Sequence, residues 1–85
     1  MSNMLKEAIG KALYSKRMEY GLTQEQMAAK CCISNRQYND LENGKRLPGL
    51  RTFFNISIVC DLDVNEIIKD LISKGYQITD DKNTA

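Results

Sequence analysis

Apolar residues recur at helical spacing through most of the chain, and each run is broken by a residue that caps a helix or turns the backbone. From about Leu5 to Tyr20 the spacing puts Ile9, Ala12, Leu13, Arg17 and Tyr20 on one face, with Lys6, Glu7, Lys11 and Lys16 mostly elsewhere. Gly21 then closes this first helix as a left-handed C-cap. Thr23 opens a short second helix that ends near Cys31. Gln26 completes a capping-box spacing with Thr23, and Glu25 lies near the positive helix end. Met27 and Ala28 face inward, and Ala28 is small enough to let another helix cross closely.

Cys32 and Ile33 make the joint to a third helix. Ser34 caps it, Tyr38 and Leu41 are its inward pair, and Asn43-Gly44 stops it. Pro48 keeps helix out of the basic loop Lys45–Gly49. A fourth helix from about Leu50 to Cys60 takes its bulk from Leu50, Phe53, Phe54, Ile56, Val59 and Cys60. Asp63 caps a fifth, in which Val64, Ile67, Ile68, Leu71 and Ile72 form an apolar stripe up to Gly75. The pattern predicts one all-α domain over residues 1–75. Residues 76–85 alternate briefly at Tyr76 and Ile78 and then turn polar, as a frayed tail or a short edge strand.

Composition narrows what this domain can do. Eighty-five residues make one small core, and a single Pro with five Gly favours helices over a many-turned β fold. Histidine is absent, and Cys31, Cys32 and Cys60 have no metal-ligand spacing. With no Gly-rich phosphate loop either, the usual constellations of an enzyme, a metal site or a cofactor site are missing. Two sequence-adjacent cysteines in an odd set point to a reduced, cytoplasmic setting. Cys31 beside Lys30, or the Cys31–Cys32 pair, offers a redox chemistry, but small apolar packing is the commoner role of such residues. No apolar run approaches a membrane span, and the leading Met-Ser-Asn-Met-Leu-Lys lacks a signal-peptide core.

Net charge is only +1, which argues weakly against nucleic acid until its distribution is considered. Residues 1–51 carry nine Lys/Arg against five Asp/Glu, whereas residues 52–85 carry three against six. The basic half holds the two short helices. In the second of these, the third helix of the chain, Asn35, Arg36, Gln37, Asn39 and Asp40 form a polar front opposite Tyr38 and Leu41. Asn and Gln match the adenine edge and Arg the guanine edge; Asp40 accepts from the cytosine amino group or orients Arg36. The first residues of such a helix reach deepest, so Asn35 and Arg36 rank first. Phosphate contacts are expected from the helix starts at Gln24 and Ser34, and from Asn43, Lys45 and Arg46.

The segments Gly-Leu-Thr-Gln-Glu-Gln-Met-Ala (21–28) and Leu-Glu-Asn-Gly-Lys-Arg-Leu-Pro (41–48) resemble the phage repressor and Cro-like helix-turn-helix family, also called the Xre family. The similarity covers roughly Ile9 to Ile68. It implies a compact, five-helix, lambda-repressor-like domain whose second and third helices form the helix-turn-helix. It also implies binding to a double-stranded DNA operator, commonly as a dimer, and a structural ion pair between Arg17 and Glu42. The DNA-contacting positions matched are Gln24, Asn35, Arg36, Gln37, Asn39, Asp40, Asn43 and Lys45. At the joint, where the family normally has Gly, this chain has Cys32, so a non-Gly residue takes φ > 0 or the turn is reshaped. Asp40 stands where many members carry a basic or amide residue, which lowers the attraction for phosphate.

A lone helix-turn-helix makes a small interface, so a homodimer is expected, with half-sites about 34 Å apart. Ile58, Ile68, Ile72 and the Tyr76–Ile78 segment are its candidate surfaces. The leading function is a small sequence-specific transcriptional regulator, in particular a repressor. The alternatives are an antitoxin-like or mobile-element accessory protein whose C-terminal half clasps a protein partner, and a scaffold that does not bind DNA.

Overall fold

The computed structural model describes residues 2–78, with side chains from residue 4 onward. It comprises α1 (Ser2–Tyr20), α2 (Gln24–Lys30), α3 (Asn35–Glu42), α4 (Leu50–Cys60) and α5 (Val64–Ser73), with no strand among the described residues. Helix α1 begins three residues before the expected Leu5, since Ser2, Asn3 and Met4 include no Pro or Gly to hold it back. The starts of α2, α3 and α5 fall where their caps place them. Thr23 Oγ accepts the Gln26 N–H at 3.1 Å while Gln26 Oε1 accepts the Thr23 N–H at 2.9 Å, a complete capping box. Ser34 Oγ accepts the Gln37 N–H at 3.0 Å, and Asp63 Oδ1 the Glu66 N–H at 3.2 Å.

All five helices end in the same kind of left-handed turn. After α1, the Leu22 N–H bonds Arg17 O and the Gly21 N–H bonds Met18 O, the paired closure of a Schellman motif. The same pairing recurs at Gly44–Lys45 and Gly75–Tyr76, where glycine supplies the positive φ (71° and 86°). It recurs also after α2, where Ile33 N–H bonds Ala28 O and Cys32 N–H bonds Ala29 O, but here Cys32 takes φ 59°. Asp61 does likewise after α4 with φ 49°. Two of five closures therefore place a Cβ in a region that disfavours it by about 1–2 kcal/mol. One of the two is the joint between α2 and α3.

The core gathers Ile9 and Leu13 of α1, Met27 and Ala28 of α2, Cys31, Tyr38 and Leu41 around α3, and Ile56 and Cys60 of α4. Fully burying side chains of this size stabilises by about 1.5–3 kcal/mol each. Half-buried Leu5, Leu22, Ile33, Phe53, Val59 and Leu62 pack around it. Helix α1 is the central strut, touching α3, α4 and α5, while α2 lies on α3. Its crossing with α3 is at Gly10, where a Cβ would sit 2.5 Å from Glu42 O and 2.9 Å from Leu41 O. No other residue type fits there without pushing the helices apart.

Helices α4 and α5 correct part of the sequence reading. Leu50 and Phe54 do not fill the core: with Ile58 they are 73%, 56% and 78% exposed, spaced four apart along one side of α4. The opposite side carries Ile56 and Cys60, so this helix is apolar nearly all round. In α5 only Leu71 is buried, while Val64, Ile68 and Ile72 form a second exposed stripe at the same spacing. Tyr20 is also more exposed than its helical face implied, although its hydroxyl donates to Cys60 O at 3.1 Å. At the C-terminal end Tyr76–Ile78 carry no strand, and residues 79–85 of the expected tail lie outside the described residues.

Candidate nucleic-acid interface

Helix α3 is pinned from behind. Tyr38 and Leu41 are wholly buried, and their spacing turns the other side of the helix outward. Asn35 and Arg36 are exposed there, and Gln37, Asn39 and Asp40 are half-buried. Just beyond the helix, Asn43, Lys45 and Arg46 are exposed too. The Lys45 N–H bonds Asp40 O at 2.9 Å, which folds the basic loop back against the end of α3. Arg36 and Asp40 form no ion pair, although their spacing allows one, so among the described residues both keep their charged groups for other use.

Behind and beside this face lies a polar network centred on Glu42. Arg17 Nε donates to Glu42 Oε2 at 2.8 Å and Arg17 Nη2 to Oε1 at 3.0 Å, a two-pronged pairing in which the partners' side chains are 14% and 4% exposed. The third guanidinium arm donates to Leu22 O at 3.0 Å, fastening α1 to the start of the helix-turn-helix. Tyr38 OH donates to Glu42 Oε2 at 2.7 Å, and Gln24 Nε2 to Oε1 at 2.9 Å. The chain continues outward, from Asn39 Nδ2 to Gln24 Oε1 at 2.8 Å and from Asn43 Nδ2 to Asn39 Oδ1 at 2.9 Å.

These contacts set the charge states. Burial pushes Glu42 toward its neutral form, but the hydrogen bonds from Arg17, Gln24 and Tyr38 outweigh it and hold the carboxyl below the usual range. Arg17 is pushed further up by its hydrogen bonds to Glu42. Desolvation, then the hydrogen bond to Glu42, raises Tyr38 well above the ordinary phenol. Tyr38 is therefore a core residue whose hydroxyl meets Glu42 and, at 3.5 Å, Leu13 O, not a surface for stacking bases.

The structure brings together every position the sequence assigned to DNA on α3 and its flanks, along with the Arg17–Glu42 pair. It does not leave them all equally free: Gln24 and Asn39 are bonded to each other, whereas Asn35, Arg36, Lys45 and Arg46 project unpaired among the described residues. Sequence reasoning missed the Tyr38 hydroxyl, whose position one turn before Glu42 was the available signal. It also missed Gly10, a glycine standing inside a helix with no turn to explain it. Tyr14 was missed as well; the Arg17 guanidinium lies 5.5 Å from the centre of its ring. Cys31 and Cys60 are buried and packed, and contact with Cys60, then burial, pushes the Cys31 thiol up and away from the reactive thiolate. Cys32 is exposed.

Comparison with known proteins agrees with this geometry. The helix-turn-helix family HTH_3 matches residues 13–67. The ImmF control region 10 kDa protein of Bacillus phage phi105 is 37% identical over 57 residues, which is 67% of this chain and 63% of that protein. The chain thus spans a little under two thirds of that relative's length. Two crystal structures of the clp gene regulator ClgR from Corynebacterium glutamicum share the fold. One has a TM-score of 0.67 at 22% identity over 84% of this chain and 92% of the other. The second has 0.68 at 23% identity over 82% and 74% respectively.

Proposed function

Because the chain belongs to the helix-turn-helix family of DNA-binding transcriptional regulators, we propose that it binds a specific double-stranded DNA operator and acts as a small repressor. Helix α3 enters the major groove, Asn35, Arg36, Gln37, Asn39 and Asp40 meet base edges, and Gln24, Ser34, Asn43, Lys45 and Arg46 hold the phosphates. The observation that carries this reading is the outward polar face of α3, braced by buried Tyr38 and Leu41 and flanked by the Lys45–Arg46 loop. A rigid back with a mixed donor–acceptor front turned outward is what groove reading requires. The phage relative's name places it in a control region, which supports a regulatory role. No described helix is long and apolar enough to cross a membrane, and the setting proposed is cytoplasmic.

The protein works as a homodimer on a two-fold site. The uncovered stripes Leu50–Phe54–Ile58 and Val64–Ile68–Ile72 provide the apolar surface for a second copy. The same stripes would serve the protein partner of an antitoxin-like or accessory protein, and stoichiometric co-purification of a foreign chain would favour that reading.

Random-site selection on the purified protein tests the proposal. It should return a two-fold repeat with half-sites spaced about one helical turn apart. Arg36→Glu should change the selected sequence, whereas Lys45→Ala should weaken all sequences alike and lower the salt slope by about one. No enrichment, together with binding indifferent to salt, would refute it.

A further inference from the structure

Glu42 is the last residue of α3, and its side chain is almost fully covered. Even so, we infer that it governs which base pair the protein prefers, by fixing through Gln24 the way round that the amide of Asn39 stands. The inference rests on the reading of α3 as the helix that reads DNA.

Donor and acceptor inventory forces the arrangement. A carboxylate only accepts hydrogen bonds, so Gln24 must turn its NH2 group to Glu42. That leaves the Gln24 oxygen facing Asn39, which must therefore donate its own NH2. The Asn39 oxygen then faces Asn43, which donates in turn. Each amide is oriented by the one before it, and the direction originates at the only member of the chain that has no donor. Reversing any single amide would set two oxygens, or two NH2 groups, against each other.

An isolated Asn side chain can rotate its amide half a turn with little change of shape, offering donor and acceptor in either order. A base edge is not symmetric: adenine presents the N7 acceptor and the N6 donor in a fixed order. After its two bonds within the network, Asn39 retains one N–H and one oxygen lone pair. Held by Gln24 and Asn43, it presents them in one sense only. Glu42 and Gln24 are thus positioning residues for base reading, and Asn39 is the residue through which they act. A row of amides running from half-buried Gln24 and Asn39 to exposed Asn43 becomes a directional reader because a buried anion stands at one end.

Random-site selection with the wild type, Asn39→Ala and Gln24→Ala separates this role from plain phosphate binding. Gln24 is half-buried in the first turn of α2, outside the core cluster, and Ala is a strong helix former, so the variant should fold, as thermal unfolding would confirm. Asn39→Ala should abolish the preference at one base pair per half-site and so identify it. Gln24→Ala should relax that same base pair by about tenfold while the other positions keep their preferences. In the free protein, the two Asn39 side-chain amide protons should be resolved and slow to exchange, and Gln24→Ala should average and speed them. Uniform weakening by Gln24→Ala with the Asn39 base pair unchanged would overturn the inference and leave Gln24 as a phosphate contact alone. An Asn39→Ala variant that keeps every preference would overturn it too. A wild type that selects no sequence would remove the DNA-reading premise itself.

Discussion

The stretch from the end of α1 to the loop after α3 has a smaller share of apolar residues than the α4–α5 hairpin, and the two end up unlike. In the first, Tyr38 and Leu41 anchor α3 in the core, and the polar side chains are tied to one another or left to project. In the second, two apolar stripes at four-residue spacing stay uncovered. A helix that is apolar on two sides has more surface to bury than one small core can take. The first region is therefore specified by directed contacts inside one copy, and the second is left with surface suited to another chain.

The largest effect should come from cutting the network at its centre. Arg17→Ala leaves the covered Glu42 carboxylate without its ion partner and should cost about 3 kcal/mol. That is a large share of the roughly 4–13 kcal/mol expected of a chain this long, and urea unfolding would read it. The same site should dominate acid sensitivity. The folded-state pKa of Glu42 is depressed, so its contribution is fully present above the unfolded value near ~4.3 and is lost as pH falls through the folded value. Glu42→Gln should flatten that acid limb of a stability-versus-pH curve.

Next in size is Gly10→Ala. The added Cβ would meet Glu42 O at 2.5 Å, and forcing α1 from α3 should cost about 1–3 kcal/mol. A thermal midpoint unchanged from wild type would mean that the α1–α3 crossing is looser than described.

Most of the first region was legible in the sequence, because capping chemistry is local. Thr23 and Ser34 announce its helix starts, and Gly21 and Gly44 the closures, as Asp63 and Gly75 do for α5, through contacts only three to five residues apart. Asp61 adopts the same left-handed closure without that signal, since an aspartate far more often stands elsewhere. The Arg17–Glu42 pair became visible only through the family resemblance, as its members are 25 residues apart. The bonds linking Gln24, Asn39 and Asn43 depend on where α2 lies against α3, which no periodicity encodes. In α4 and α5 the sequence marks which residues are apolar, but helical spacing alone does not decide which of two apolar sides meets the core.

Smaller effects sharpen the contrast. Cys32→Gly relieves a Cβ at φ 59° but adds freedom to the unfolded chain, so it should stabilise by about 0.5–1 kcal/mol. That corresponds to a rise of a few degrees in Tm for a domain this size. Destabilisation instead would show that the exposed thiol has a packing duty. Smallest of all, Ile58→Lys combined with Ile72→Lys should leave single-copy stability within about 0.5 kcal/mol of wild type. Sedimentation should nevertheless show reduced self-association. A large loss of stability would mean that these stripes are covered within one copy after all.

The division between the two regions is most directly tested by titrating isotopically labelled protein with its selected duplex and following backbone amide shifts. The account predicts changes concentrated at Gln24, from Ser34 to Asn43 and through Lys45–Arg46, falling in size as salt rises. The outer stripes of α4 and α5 should change only where two copies meet on a two-fold site. Shifts centred on Leu50, Phe54 and Ile58, with α3 silent on monomeric half-site DNA, would contradict it.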